Sequence, residues 1–212
     1  MKAFKKIYLA PNIIHLKFKK RYDLTRHLLR FQEHFESPEF RGKVFSLKEF
    51  KPWYMRFHKE KKFKYYTDWN GFNFPSKILK PFLDGKFNPL SSREKAILKA
   101  LDGQKGRFYV IGTFSNDDLR HEVAHALFYV NPQYRKEVLK VIGRVDTSIW
   151  EKVFENMGGY HPSVWIDEVH AYIMEDEKYL KKSLEIEKPH KFRKHANKIR
   201  AIFNRYKPKN YA

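Results

Sequence analysis

The chain has 212 residues, of which 42% are hydrophobic and 17% aromatic, and a formal net charge of +20. That is ample apolar material for a packed interior and too much for a disordered chain, and no apolar run approaches the roughly 18 residues of a membrane span. Cysteine is absent, which excludes disulfides, thiolate metal sites and cysteine nucleophiles and leaves His, Asp and Glu as metal ligands.

The opening "MKAFKKIYLAPNIIHLKFKK" has the basic start and apolar follow-on of a signal peptide. Pro11, Asn12 and His15 interrupt it, however, and no small-residue cleavage site follows, so the expected location is cytoplasmic. "DLTRHLLRFQEHFES" (23–37) predicts a helix capped by Asp23, with Leu24, Leu28, Leu29 and Phe31 near one face. "SLKEFKPWYMRFHKE" (46–60) predicts a partial helix interrupted at Pro52. "DWNGFNFPSK" (68–77) reads as a turn-rich aromatic loop that packs on the core or forms a ledge for a partner or substrate. "SSREKAILKALDG" (91–103) is a helix capped by Ser91 or Ser92 and ended by Gly103, and "RFYVIGTFS" (107–115) a strand. Everything beyond is helical: a helix entered through a Ser115/Asp118 capping box and stopped at Asn131-Pro132, one starting at Pro132, one from Asp146 to Gly158-Gly159, one over 162–184 and one over 188–206. The expected class is α+β in a single domain, 1–212, with a mixed N-terminal lobe (1–106) and a strand followed by helices (107–212).

Within "NDDLRHEVAHALFYVNP" (116–132) lies His121-Glu122-Val123-Ala124-His125. At 3.6 residues per turn, positions i and i+4 share a face, so His121 and His125 can aim two imidazoles at one ion. Glu122 sits roughly 100° round the helix, able to touch a water on that ion without ligating it. Zinc pulls the pKa of such a water towards about 7, and an adjacent carboxylate can take its proton during attack on a peptide carbonyl and pass it to the leaving amine. With 10 His and 15 Glu in 212 residues, chance supplies about 0.03 matches to this pattern. The apolar "ALFYV" after His125 predicts a buried helix, and buried histidines and glutamate need partners.

HEVAH behind an edge-type strand, followed by a helix carrying Glu168 in "WIDEVHAY", resembles the gluzincin group of zinc metallopeptidases, which includes the minigluzincins and thermolysin-like enzymes. The likeness covers residues 107–176, and its specific part is HExxH. The Asn-Glu-x-x-Ser-Asp pattern of thermolysin-like enzymes is not reproduced, the metzincin extension is absent, and no histidine lies between His125 and His161 for a third ligand of the SprT-like kind. Peptide deformylases are excluded by their cysteine ligand. The resemblance implies a zincin-like fold: a small mixed or antiparallel sheet with an edge strand beside the catalytic HExxH helix and a mainly helical C-terminal half. It further implies Zn2+ on His121, His125 and Glu168, Glu122 as general base, Tyr160 or His161 as oxyanion donor, the strand at 107–115 as the edge that pairs with substrate, and a peptide or protein as substrate.

The residues themselves leave His161, Asp167, Glu168 and His170 as candidates for the third ligand. On a helix from Pro162, the apolar Val164, Trp165, Val169, Ala171 and Tyr172 mark the buried side; Glu168 falls on it, four residues from Val164 and four from Tyr172. A carboxylate there needs a cation, a metal or a buried Arg or Lys. Asp167 would orient a ligand histidine through its free ring nitrogen. The alternative function is a basic nucleic-acid-associated protein with a structural or degenerate zinc site. "KFKKRY" (17–22), "HKEKKFKYY" (58–66) and 190–209 interleave cations with aromatics, as phosphate contact and base stacking require. The cations are nevertheless spread along the whole chain, outside any nucleic-acid motif.

Overall fold

In the computed structural model, which describes residues 3–157 and 159–211, the opening segment is a hairpin of β1 (Phe4–Ala10) and β2 (Ile13–Phe18) turning at Pro11-Asn12. β3 (Gly71–Pro75) and β4 (Tyr109–Thr113) complete a four-stranded mixed sheet in the order β1-β2-β4-β3. β4 runs parallel to β2 and antiparallel to β3. The expected strand at 107–115 therefore forms, but it is central rather than an edge. Its apolar, β-branched run, buried at every position, is the pattern of a strand covered on both faces. The edge is β3, from the segment expected to be a loop. Phe72 and Phe74 alternate with Asn73, and Pro75 ends the strand where no amide donor is needed.

Alternation places helices on opposite faces of this sheet. Phe74 stacks on Phe31, and a Cβ on Gly112, opposite Phe72, would lie 2.2 Å from Leu28 Cδ1 and 2.8 Å from Leu24 Cδ1. All three partners belong to α1 (Arg21–Glu36), whose N-cap is Lys20; Asp23 sits in the first turn, where its charge complements the helix dipole, instead of capping. α2 (Leu47–Phe57) starts at a Ser46/Glu49 capping box and continues through Pro52, because one lost amide is outweighed by burial of Phe50 and Tyr54 among aromatic neighbours. Short turns α3 (Tyr65–Asp68) and α4 (Lys80–Leu83) flank β3, and α5 (Ser92–Leu101) is capped by Ser91. Arg30 of α1 reaches Glu94 of α5 at 2.5 Å with both side chains buried.

The other face carries α6 (Leu119–Val130). Its N-cap is Asp118, and the Ser115 hydroxyl donates to the Asp118 carboxylate at 3.0 Å and accepts the Asp117 amide at 3.3 Å, ahead of the helix, instead of capping an amide of α6 itself. Asn131 ends α6 and caps α7 (Pro132–Ile142). α8 (Ser148–Met157) begins two residues after Asp146, whose carboxylate accepts the Ser148 amide; its expected stop falls partly on Gly158, outside the described residues. The helix expected over 162–184 is divided into a 3-10 turn (Pro162–Val164), α9 (Trp165–Tyr172) and α10 (Glu177–Ser183), because Asp176 caps a new start with an extended backbone. A 3-10 turn (Pro189–Phe192) leads into α11 (Arg193–Tyr206), which packs on α7. Among the described residues, no helix is long and apolar enough to cross a membrane.

The tight seat of α1 on β4 depends on Gly112. Gly112→Ala is expected to cost about 1–3 kcal/mol by overpacking, read as a lower denaturant midpoint; an unchanged midpoint would mean that α1 yields without strain.

Candidate metal centre

α6 presents its HEVAH face between the sheet and α9. His121 Nε2 and His125 Nε2 stand 3.1 Å apart, and Glu168 Oε2 lies 3.7 Å from the first and 3.6 Å from the second. Bonds of about 2.0–2.1 Å to a tetrahedral ion place its ligand atoms roughly 3.3–3.4 Å apart, so the three donors have the spacing of a metal site before any side chain moves. Glu168 is 2% exposed, and Oε2 has no hydrogen-bond donor among the described residues. Among the described residues no Arg or Lys pairs with it, although a buried carboxylate demands a cation. The group is a buried His-His-Glu triad that could hold a metal ion.

Asp167 lies on the outer side of His125, its Oδ1 3.0 Å from Nδ1, at ion-pair distance but without hydrogen-bond alignment. His170 also sits against Asp167, Nδ1 to Oδ1 at 3.2 Å, and its ring stacks on Phe128, so it backs the site without entering it. Tyr160 stands in the wall of the cleft, its hydroxyl 2.8 Å from that of Tyr172. His161 is placed elsewhere: its Nδ1 accepts the Ser163 amide in the turn before α9, and its own amide donates to the Glu36 carbonyl at 2.6 Å.

Glu122 is held by β3. Asn73 Nδ2 donates to Glu122 Oε2 at 2.8 Å, and the Tyr109 hydroxyl donates to Asn73 Oδ1 at 2.5 Å. The other oxygen, Oε1, occupies the space a side chain at position 71 would need, since a Cβ on Gly71 would fall 2.0 Å from it. A cleft of about 320 Å³, lined by Gly71, His121, Glu122, Trp69 and Tyr160 among others, opens here.

Burial dominates the electrostatics of these groups. Burial lifts the Glu122 pKa to about 8, with Glu168 adding to the rise against the pull of His125 and Asn73. Burial also raises Glu168, and Glu36, whose carboxyl is pushed up further by Glu168 and Glu33. Burial and the neighbouring His125 lower His121 to about 3; His125, which burial alone would depress, is carried up to about 10 by Glu168 and Asp167. A divalent cation among these groups would let the carboxylates ionise and both imidazoles stay neutral, the protonation that ligation requires.

Two contributors were not among the sequence candidates. Glu36, at the end of α1, is buried with Oε2 lacking a donor, and accepts from Gln32 Nε2. Its signal was present, because Glu33 and Glu36 lie four and seven residues after the buried Leu29, on the same face. Asn73 was marked by alternation with Phe72 and Phe74, a pattern only five residues long.

Compared with protein-family models, curated proteins and solved structures, the chain matches none of them.

Metal content of the purified chain tests the triad directly. His121→Ala, His125→Ala and Glu168→Ala are each expected to lose any bound metal, because two remaining ligands hold it poorly, whereas His161→Ala and His170→Ala retain it. Full occupancy in the first three would remove the site. Gly71→Ala is expected to keep any bound metal while displacing Glu122, visible as altered Asn73 side-chain amide resonances.

Proposed function

We propose that the chain is a zinc-dependent metallopeptidase of the gluzincin type, with His121, His125 and Glu168 as metal ligands and Glu122 as general base. The observation that carries this reading is the convergence of two buried donors and the half-buried His121 beside a carboxylate that is held at one oxygen and faces the same cleft with the other. When bound, zinc supplies Lewis acidity, lowering the pKa of a water and polarising a carbonyl.

The chain's own groups divide the remaining work. Asn73 fixes Glu122 Oε2, leaving Oε1 to take a proton and return it to the leaving amine. Asp167, at ion-pair distance from His125 Nδ1, favours the tautomer that presents Nε2. The hydroxyl of Tyr160, on the cleft wall beside that of Tyr172, is the donor available to a developing oxyanion. His161, turned onto Ser163, has no part in this reading. Substrate pairing falls to β3 rather than β4. The Ser76 amide donates to Phe108, so even-numbered residues of β3 bond to β4 and odd-numbered ones face outward. The outward Asn73 amide is already taken by Gln32 Oε1 at 2.7 Å, which confines pairing by outward N–H groups to Gly71.

A second reading, polyanion binding, is favoured by one feature. A groove of about 510 Å³ between α7 and α11 is lined by Lys140, Arg144, Lys198 and Arg205. Nucleic-acid affinity that is tight, falls steeply with salt and ignores zinc would favour it.

Glu122→Gln separates ligand from base. Zinc is expected to remain at full occupancy while hydrolysis of a casein or peptide pool falls by roughly 10²-fold or more. Equal rates for variant and wild type would take the base role from Glu122.

A further inference from the structure

The cleft differs in charge from the protein around it. The chain carries +20, yet no Lys or Arg is among the described residues lining the cleft, whereas Asp68, Asp117, Asp118 and Glu175 are. Some of this charge is already used. Glu175 pairs with Arg120 at 2.9 Å, and Asp68 accepts the Tyr54 hydroxyl at 2.7 Å. Asp118 takes only the Ser115 hydroxyl, and the Asp117 carboxylate takes no hydrogen bond or ion pair among the described residues. Asp117 and Asp118 therefore stand at the mouth without an ion pair among the described residues, four and three residues before His121.

A second observation points to the same kind of ligand. The remaining wall is aromatic, with Trp69, Tyr160, Tyr172 and Tyr179 lining the cleft and Tyr172 and Tyr179 stacked at 6.4 Å. Aromatic faces combined with carboxylates recognise cations, the ring quadrupole and the formal charges acting together. Burial and then Glu175, Asp118 and Glu168 push the Tyr179 phenol up to about 12, in accord with a negative potential across this wall.

We propose that the cleft selects peptides carrying a lysine or arginine side chain next to the bond to be cut, seated between the Asp117–Asp118 pair and the aromatic wall. The inference deepens the peptidase reading and rests on it. Screening at physiological salt, with a Debye length of about 8 Å, confines the pull of Asp117 and Asp118 to the mouth and weakens repulsion from the more distant basic surface. A cationic preference on so basic a protein then has one local source.

The test uses the full zinc-loaded chain and N-acetylated peptides bearing a neutral fluorophore, identical except for a central Lys or Gln. Binding is read by anisotropy at physiological salt and turnover in parallel. The Lys peptide is expected to bind more tightly. Asp117→Asn and Asp118→Asn, which keep side-chain size and helix-capping ability, should each cut that preference about threefold to fivefold, and together on the order of tenfold. Equal binding of the two peptides, or a preference unchanged in the double variant, would overturn the proposal. So would a preference seen only when the acetyl group is removed, since the cation read would then be the N-terminal amine. A Lys preference that depends on Asp117 and Asp118, with no turnover of any peptide, would support the cation site and count against the peptidase reading alone.

Discussion

A buried carboxylate pressed against a strand of the sheet organises this molecule. Glu122 can lie there because Gly71 offers no Cβ, and it stays because Asn73 donates to one of its oxygens, with Tyr109 holding Asn73 in turn. Burial of an unpaired charge costs several kcal/mol, so this contact sets how closely α6 approaches β3. With α6 fixed, His121 and His125 have one direction in which to point, and α9 brings Glu168 and Asp167 to meet them.

The same pressure recurs in the layer around it. Glu33, Glu36, Glu122 and Glu168 are all buried, and each is displaced upward in pKa chiefly by that burial. A core built for stability alone would not collect so many carboxylates beside two imidazoles, because each costs desolvation that Coulomb attraction only partly offsets. Such concentration of perturbed groups in and behind one cleft is characteristic of sites that bind ions or move protons.

What could be read from the sequence followed from local periodicity. The HEVAH face, the Glu168 side of α9 and the position of Asp167 behind His125 all follow from 3.6 residues per turn, and each is where that spacing puts it. Strand pairing is non-local, and there the reading failed. "GFNFP" is too short for its alternation to outweigh an Asn-Gly turn signal, and the strand at 107–115 carries no mark of which neighbours it will have. The opening hairpin was legible only in part: Ile14, Leu16 and Phe18 alternate with His15 and Lys17 in β2, but that pattern is only five residues long. The break between α9 and α10 depended on one Asp, equally at home inside a surface helix or at its cap.

The Gln32 side chain that reaches the Asn73 amide also bears on the protein's behaviour among its own copies. A four-stranded open sheet has two edges, each a template on which another chain can add a strand and begin to aggregate. On the β3 side, Gln32 satisfies one outward donor and Pro75 removes another, so a single amide, that of Gly71, faces out from the strand. On the β1 side, Lys5 and Lys6 bring charge to the other edge. A sheet with two open margins is thus guarded against its neighbours by one glutamine, one proline and two lysines.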